Sequence, residues 1–148
     1  MNILYAVDWS MQEAVTPDAE FPAYAAWLVK GYTEVRFAGA EIIVNESPVL
    51  IDLCELINAF SEKAMTDFAG DYLPINIGDE PELFICYGKD IRFYRRSPAA
   101  FKNSTNPVLE TVGRPAVLTE GARLKRQILE EVYAHNPALG DGYRTLLW

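Results

Sequence analysis

The alternation of apolar and polar residues predicts the elements of the first third of the chain. Residues 2–7 are predicted as a short strand, and residues 21–30 as a short helix or a capped turn with Pro22 near its start. Residues 32–45 are predicted as a hairpin that turns at Gly39-Ala40, because apolar and charged residues alternate before the turn. Ile43 falls on the opposite face from its apolar neighbours, so we expect another part of the chain to cover it.

The most regular pattern in the chain predicts a long amphipathic helix between Ser47 and Gly70. Ser47 is a favourable N-cap residue, and Pro48 suits the first helical position. Gly70 is predicted to end the helix. Apolar residues recur at three- and four-residue steps and form one stripe: Leu50, Leu53, Cys54, Ile57, Phe60, Ala64 and Phe68.

The second half of the chain predicts another hairpin and a closing helix. A turn cluster at residues 78–81 precedes two strands, residues 82–87 and 91–96, which Gly88-Lys89-Asp90 joins. Residues 97–116 contain three prolines and are predicted as a long connection. The closing helix is predicted from Thr119 to His135, and the tail is expected to pack back through Tyr143, Leu146 and Trp148.

These elements predict a single α+β domain over residues 1–148. Strands occur as hairpins separated by a helix, which favours an antiparallel sheet built from two hairpins with helices on one face. The length of 148 residues suits one domain, and half of the residues are hydrophobic, which excludes wholesale disorder.

The chain has no predicted export or membrane signal. Residues 1–8 carry no positively charged side chain, which argues against a secretory signal peptide. No apolar stretch approaches the roughly 20 residues of a membrane helix. Two cysteines make no disulfide framework and are expected to be buried free thiols. We therefore expect a soluble, cytoplasmic protein that does not bind membranes.

Charge is distributed unevenly along the chain. The formal net charge is −8, but residues 1–82 hold 15 acidic and three basic side chains, whereas residues 83–148 hold six acidic and ten basic ones. So acidic a segment disfavours binding to nucleic acids and anionic membranes and favours a basic protein partner. Alternatively, the acidic and the basic half of the chain face each other within the fold.

Nine carboxylates are the predicted partner-binding residues, and an arginine-rich stripe is a secondary candidate. The carboxylates are Glu46, Asp52, Glu55, Glu62, Asp67, Asp71, Asp79, Glu80 and Glu82. In a strand, Arg92, Tyr94 and Arg96 share one face. An exposed stripe of this kind stacks on bases, clamps phosphates, or pairs with acidic groups of this chain or of a partner.

The sequence contains no recognisable catalytic or metal-binding motif. Cys54 and Cys86 are separate, and the only histidine, His135, lies at a predicted helix end. Their spacing matches no zinc or calcium site, and the chain has neither a phosphate-binding loop nor a nucleophile elbow. We therefore expect no catalytic residue, no metal and no cofactor.

The order of elements resembles that of small immunity proteins of bacterial polymorphic toxin systems. The residues that carry the resemblance are Val35-Arg36-Phe37, Ile42-Ile43-Val44, Ser47-Pro48, Leu83-Phe84-Ile85-Cys86-Tyr87 and Ile91-Arg92-Phe93-Tyr94. The resemblance covers residues 32–96 and concerns layout rather than a signature motif. It implies a non-catalytic cytoplasmic protein that blocks the active site of a cognate toxin.

Three function classes follow from these observations. The first is an immunity-type inhibitor that binds a basic toxin through an acidic surface. The second is a subunit or adaptor of another assembly, such as a phage or defence-system complex, or a homo-oligomer. The third is a small enzyme without a familiar motif, which would need a pocket that joins His135 to a cysteine or to carboxylates.

Overall fold

The described strands form two antiparallel sheets. The computed structural model describes residues 1–10, 26–78, 80–96 and 108–148. The three-stranded sheet has the order β1 (Asn2–Val7), β2 (Gly31–Arg36), β3 (Glu41–Ser47). The four-stranded sheet has the order β4 (Leu73–Ile77), β5 (Glu80–Cys86), β6 (Asp90–Tyr94), β7 (Val108–Gly113). The helices are α1 (Val49–Ala59), α2 (Glu62–Asp67), α3 (Arg114–His135) and α4 (Pro137–Arg144).

The α+β class predicted from the sequence is confirmed. Each predicted hairpin is present, and each belongs to a sheet of its own. Helices α1 and α3 both contact strands of the two sheets. One hydrophobic cluster extends through both sheets and the helices, and Leu53, Phe93 and Ile128 are fully buried within it. Residues 21–25, the first half of the segment predicted as a short helix or capped turn, lie outside the described residues.

The first hairpin has the predicted turn but not the predicted burial. Phe37 donates its N–H to the carbonyl of Ala40 at 2.8 Å and closes the turn. Ile43 is 46% exposed, so the expectation that it is covered is wrong. Glu34, on the polar face of β2, is only 4% exposed because the side chains of Tyr32 and Arg36 both hydrogen-bond its carboxylate.

The predicted long helix is divided into α1 and α2. Ser61 causes the break: its hydroxyl donates to the carbonyl of Asn58 at 2.7 Å and accepts the N–H of Ala64 at 3.1 Å, which makes it the N-cap of α2. The prediction for Ser47 is also wrong, because Pro48 occupies the capping position of α1 and no side chain caps it. Apolar periodicity continues through the break, so it could not reveal the change of direction.

Two strands were missed by the sequence analysis, and the closing helix is longer than predicted. Strand β4 follows Gly70, where the sequence pattern predicts no element, and β7 lies in the predicted connection over residues 97–116. Helix α3 begins at Arg114, five residues before Thr119, with Pro115 in its first turn, and it ends at His135 as predicted.

The tail of the chain packs back as predicted, with one exception. Tyr143 in α4 is fully buried and donates its hydroxyl to the carbonyl of Leu50 in α1 at 2.6 Å. Leu146 packs against the core. Trp148 does not, since its side chain is 52% exposed. This exception places an aromatic ring on the surface beside α1 and α2.

Candidate functional site

Five of the nine predicted partner-binding carboxylates lie exposed in the described part of the chain. These five residues share their charge and their exposure, and we use the name acidic surface for this set alone: Glu46, Glu55, Glu62, Asp67 and Asp71. Asp79 and the side chains of Glu80 and Glu82 lie outside the described residues. Glu46 has a positive φ of 54°, a backbone conformation that few non-glycine residues adopt.

Asp52 does not belong to any surface, in contrast to the sequence prediction. Its side chain is 2% exposed, and its carboxylate accepts the N–H of Gly78 at 3.1 Å. Gly78 has a positive φ of 82° and lies in the turn between β4 and β5. The apolar stripe of α1 faces the core, and Asp52 lies on this buried face, where the turn hydrogen-bonds one of its carboxylate oxygens, Oδ1.

Most charges of the acidic surface are not neutralised by neighbouring cations. Asp67 pairs with Lys63 at 3.3 Å, and both side chains remain mostly in solvent. Within the described ranges, no ion pair involves Glu46, Glu55 or Glu62. Partial desolvation, and then the charge of Asp52, raises the pKa of Glu55 above its ordinary value.

The exposed ring of Trp148 separates two small apolar grooves, which we call the Trp148 grooves. The first, with a volume of about 290 Å³, lies between α1 and α3, and Phe60 and Leu118 contribute to its floor. Glu62 and Lys125 line its rim. The second, of about 210 Å³, is lined by Lys63, Ala64, Asp67, Phe68, Leu73 and Trp148.

Hydrogen bonds to the backbone hold Trp148 in place. Its N–H donates to Asn58 Oδ1 at 2.8 Å, and its carbonyl oxygen accepts from Lys125 Nζ at 2.6 Å. Asn58 also donates to the carbonyl of Leu146 at 2.9 Å. The ammonium of Lys63 lies 5.0 Å from the centre of the indole ring. These bonds hold the backbone of Trp148, and its ring is exposed between Lys63 and the two grooves.

The sequence analysis did not single out Trp148 as a binding residue. A tryptophan in an apolar tail is expected to pack into the core, as the neighbouring Tyr143 and Leu146 do. The side-chain amide of Asn58 fixes the end of the chain at the surface, and no sequence period signals that contact. Glu62 and Asp67 were singled out, and they line the two Trp148 grooves.

The arginine-rich stripe does not form as predicted. Arg92 and Arg96 are exposed, but Tyr94 between them is only 7% exposed. Strand β6 ends at Tyr94, so Arg96 lies beyond the regular alternation that the prediction assumed. An exposed Arg-Tyr-Arg surface for stacking on bases is therefore absent from this strand.

The thiols and the histidine do not come together in the described residues. Burial raises the pKa of Cys54 to about 11, so its thiol stays protonated at neutral pH, and it donates to the carbonyl of Leu146 at 3.4 Å. Burial also raises the pKa of Cys86. His135 stacks on Trp9 with ring centres 4.4 Å apart. These groups have structural contacts and do not form a nucleophile–base pair.

Metal coordination finds no support in the described ranges. No group of three His, Cys, Asp or Glu side chains there is arranged to hold a metal ion. None of the described helices combines the length and apolar character that a bilayer crossing needs.

Comparison with known proteins identifies no relative of this chain. No protein-family model, no curated protein and no solved structure matches it. The functional argument therefore depends on the geometry and charge of the acidic surface and the Trp148 grooves.

Proposed function

We propose that the protein is a non-catalytic, immunity-type inhibitor that binds and neutralises a basic bacterial toxin in the cytoplasm. The observation that carries the proposal is the position of Glu62 and Asp67, each of which lines an apolar groove beside the exposed ring of Trp148. Protein-binding surfaces commonly combine an aromatic anchor with charged residues at the rim.

The net charge supports a basic partner. The chain carries −8, and most carboxylates of the acidic surface form no ion pair within the described residues. Such a surface attracts a basic protein from a distance and accelerates its association, and the acceleration falls as salt concentration rises. A basic nuclease is the class of toxin that best fits this electrostatic requirement.

The Trp148 grooves are proposed to slow dissociation of the partner, whereas the charges are proposed to accelerate its association. An apolar side chain of the partner that enters a groove would contact Phe60 or Phe68 and the indole ring. Tryptophan is among the residues that most often dominate the free energy of protein association. We therefore expect Trp148→Ala to accelerate dissociation, whereas loss of the carboxylates mainly slows association.

A pull-down from the native host, followed by a toxicity assay, tests the proposal. The tagged wild-type chain should capture a basic protein in stoichiometric amount, which arrests growth when expressed alone and is harmless when this chain is co-expressed. Glu62→Lys should capture less of it. Asp90→Lys is the matched control, because Asp90 is exposed, carries the same charge change and lies outside the acidic surface.

Two results would contradict the proposal. Recovery of a non-toxic multisubunit assembly would favour the alternative role as a subunit or adaptor. Equal capture of the toxin by the wild-type chain and by the Glu62→Lys variant would mean that the acidic surface does not contribute to binding.

A further inference from the structure

The outer edge of strand β1 is partly blocked by side chains of α3. Ile3 donates its N–H to Glu120 Oε1 at 3.0 Å, and its carbonyl accepts from Arg123 Nη2 at 2.8 Å. Both backbone groups of Ile3 therefore point away from β2. The two side chains take the place of a neighbouring strand at this one residue, which is a common way of protecting a sheet edge.

Two residues further along β1, the same edge is not blocked. The register pairs Ile3 with Val35 and Tyr5 with Thr33, so the backbone N–H and C=O of Tyr5 point to the same side as those of Ile3. Within the described residues, β1 pairs only with β2, and no side chain bonds to the backbone of Tyr5. The edge opens into a groove of about 660 Å³ between β1 and α3.

The α3 wall of this groove is negatively charged. Glu130 is exposed, and Glu131 accepts a hydrogen bond from the uncharged indole N–H of Trp9 at 2.8 Å. The cation at the groove, Arg123, is already paired with Glu120. Burial and the charge of Glu131 raise the pKa of Tyr5, in agreement with a negative potential at this place.

We propose that the β1–α3 groove is a second protein-binding site, which accepts an extended basic segment of a partner protein as a short additional strand beside β1. Backbone groups of the segment would pair with Tyr5, and its lysine or arginine side chains would reach Glu130 and Glu131. Strand addition of this kind takes its affinity from main-chain hydrogen bonds and its specificity from alternate side chains. Because Glu120 and Arg123 occupy the backbone groups of Ile3, the added strand can pair with β1 only beyond that residue.

This site is separate from the acidic surface. Residues Arg123, Gln127 and Glu130 of α3 line the β1–α3 groove, whereas Leu118 and Lys125 of the same helix line a Trp148 groove. The two sets lie on different faces of α3, so one site can be tested while the other is left unchanged.

A labelled peptide with alternating lysine and valine tests the inference on the full-length chain. Fluorescence anisotropy at low salt should show binding, and N-methylation of alternate peptide nitrogens should weaken it at least about tenfold because the backbone donors are lost at unchanged charge. Peptide binding should slow amide hydrogen exchange at Tyr5. Exchange at Ile3, which is already bonded, should not change.

Charge variants complete the test. Glu130→Lys should weaken peptide binding, and Asp90→Lys, which makes the same charge change outside both sites, should not. The inference is overturned if the peptide does not bind, if the N-methylated peptide binds equally well, or if Asp90→Lys weakens binding as much as Glu130→Lys. Circular dichroism of both variants checks that they fold.

Discussion

Asp52 provides the sharpest distinction between a structural and a partner-binding carboxylate. Asp52→Ala removes the acceptor of the Gly78 N–H and leaves that donor without its protein partner in a partly buried turn. A hydrogen bond to a charged group contributes roughly 1.5–3 kcal/mol. We therefore expect Asp52→Ala to lower the free energy of unfolding by about 2–3 kcal/mol. For a chain of this size that corresponds to a fall in Tm of about 5–10 °C.

Urea unfolding followed by circular dichroism measures this effect, and Glu55→Ala is the matched control. Glu55 is on the same helix but exposed, so its removal should change the free energy of unfolding by less than about 0.5 kcal/mol. Asp52→Asn keeps one acceptor oxygen and should fall between the two. Equal stability of Asp52→Ala and the wild-type chain would refute the structural role of Asp52, and so would an equal loss in Glu55→Ala.

Three further predictions follow from the packing and the titrating groups. Because burial raises the pKa of Cys54 to about 11, iodoacetamide at pH 8 should label it slowly in the native chain and rapidly in urea; rapid native labelling of Cys54 would contradict this. Burial acts to raise the pKa of Glu120, but its hydrogen bonds outweigh burial and lower it below its ordinary value of 4.5. The ionised Glu120 therefore stabilises the fold above pH 4.5, and this stabilisation is lost as the pH falls through the lowered pKa. In a plot of the free energy of unfolding against pH, Glu120→Gln should make the fall at acidic pH less steep. Parallel curves for the variant and the wild-type chain would refute this. Gly121→Ala places a Cβ 2.7 Å from that of Phe60 and should cost about 1–3 kcal/mol in urea unfolding, whereas Gly39→Ala meets nothing within 4 Å and should cost less.

The fold class could be predicted from the sequence because the hairpins and the amphipathic helix have clear periods. The break at Ser61 could not, because apolar residues keep helical spacing across it and only the capping hydrogen bonds mark the change. Strand β7 was missed because its burial pattern has no fully buried position, and polar residues alternate weakly along it. Pairing with β6, a long-range contact, defines it as a strand.

The candidate site could be predicted only in part. The exposed carboxylates of α2 were found because charged residues usually lie on the surface. The prediction that Asp52 binds a partner is wrong. The sequence shows a carboxylate among other charged residues, but it does not show that the fold brings Gly78 within hydrogen-bond distance of it. Trp148 and the edge of β1 were missed because each depends on contacts between residues far apart in the chain, to Asn58 and to Glu120.

The rate of association between this chain and the partner that the pull-down recovers, measured by stopped flow over a range of salt concentrations, tests the central claim most directly. For the wild-type chain, the account predicts fast association that slows steeply as salt rises. Lysine at Glu55 and Glu62 together should slow association at low salt and flatten its dependence on salt. Identical rates and identical salt dependence for the wild-type chain and this double variant would contradict the claim that the acidic surface guides the partner.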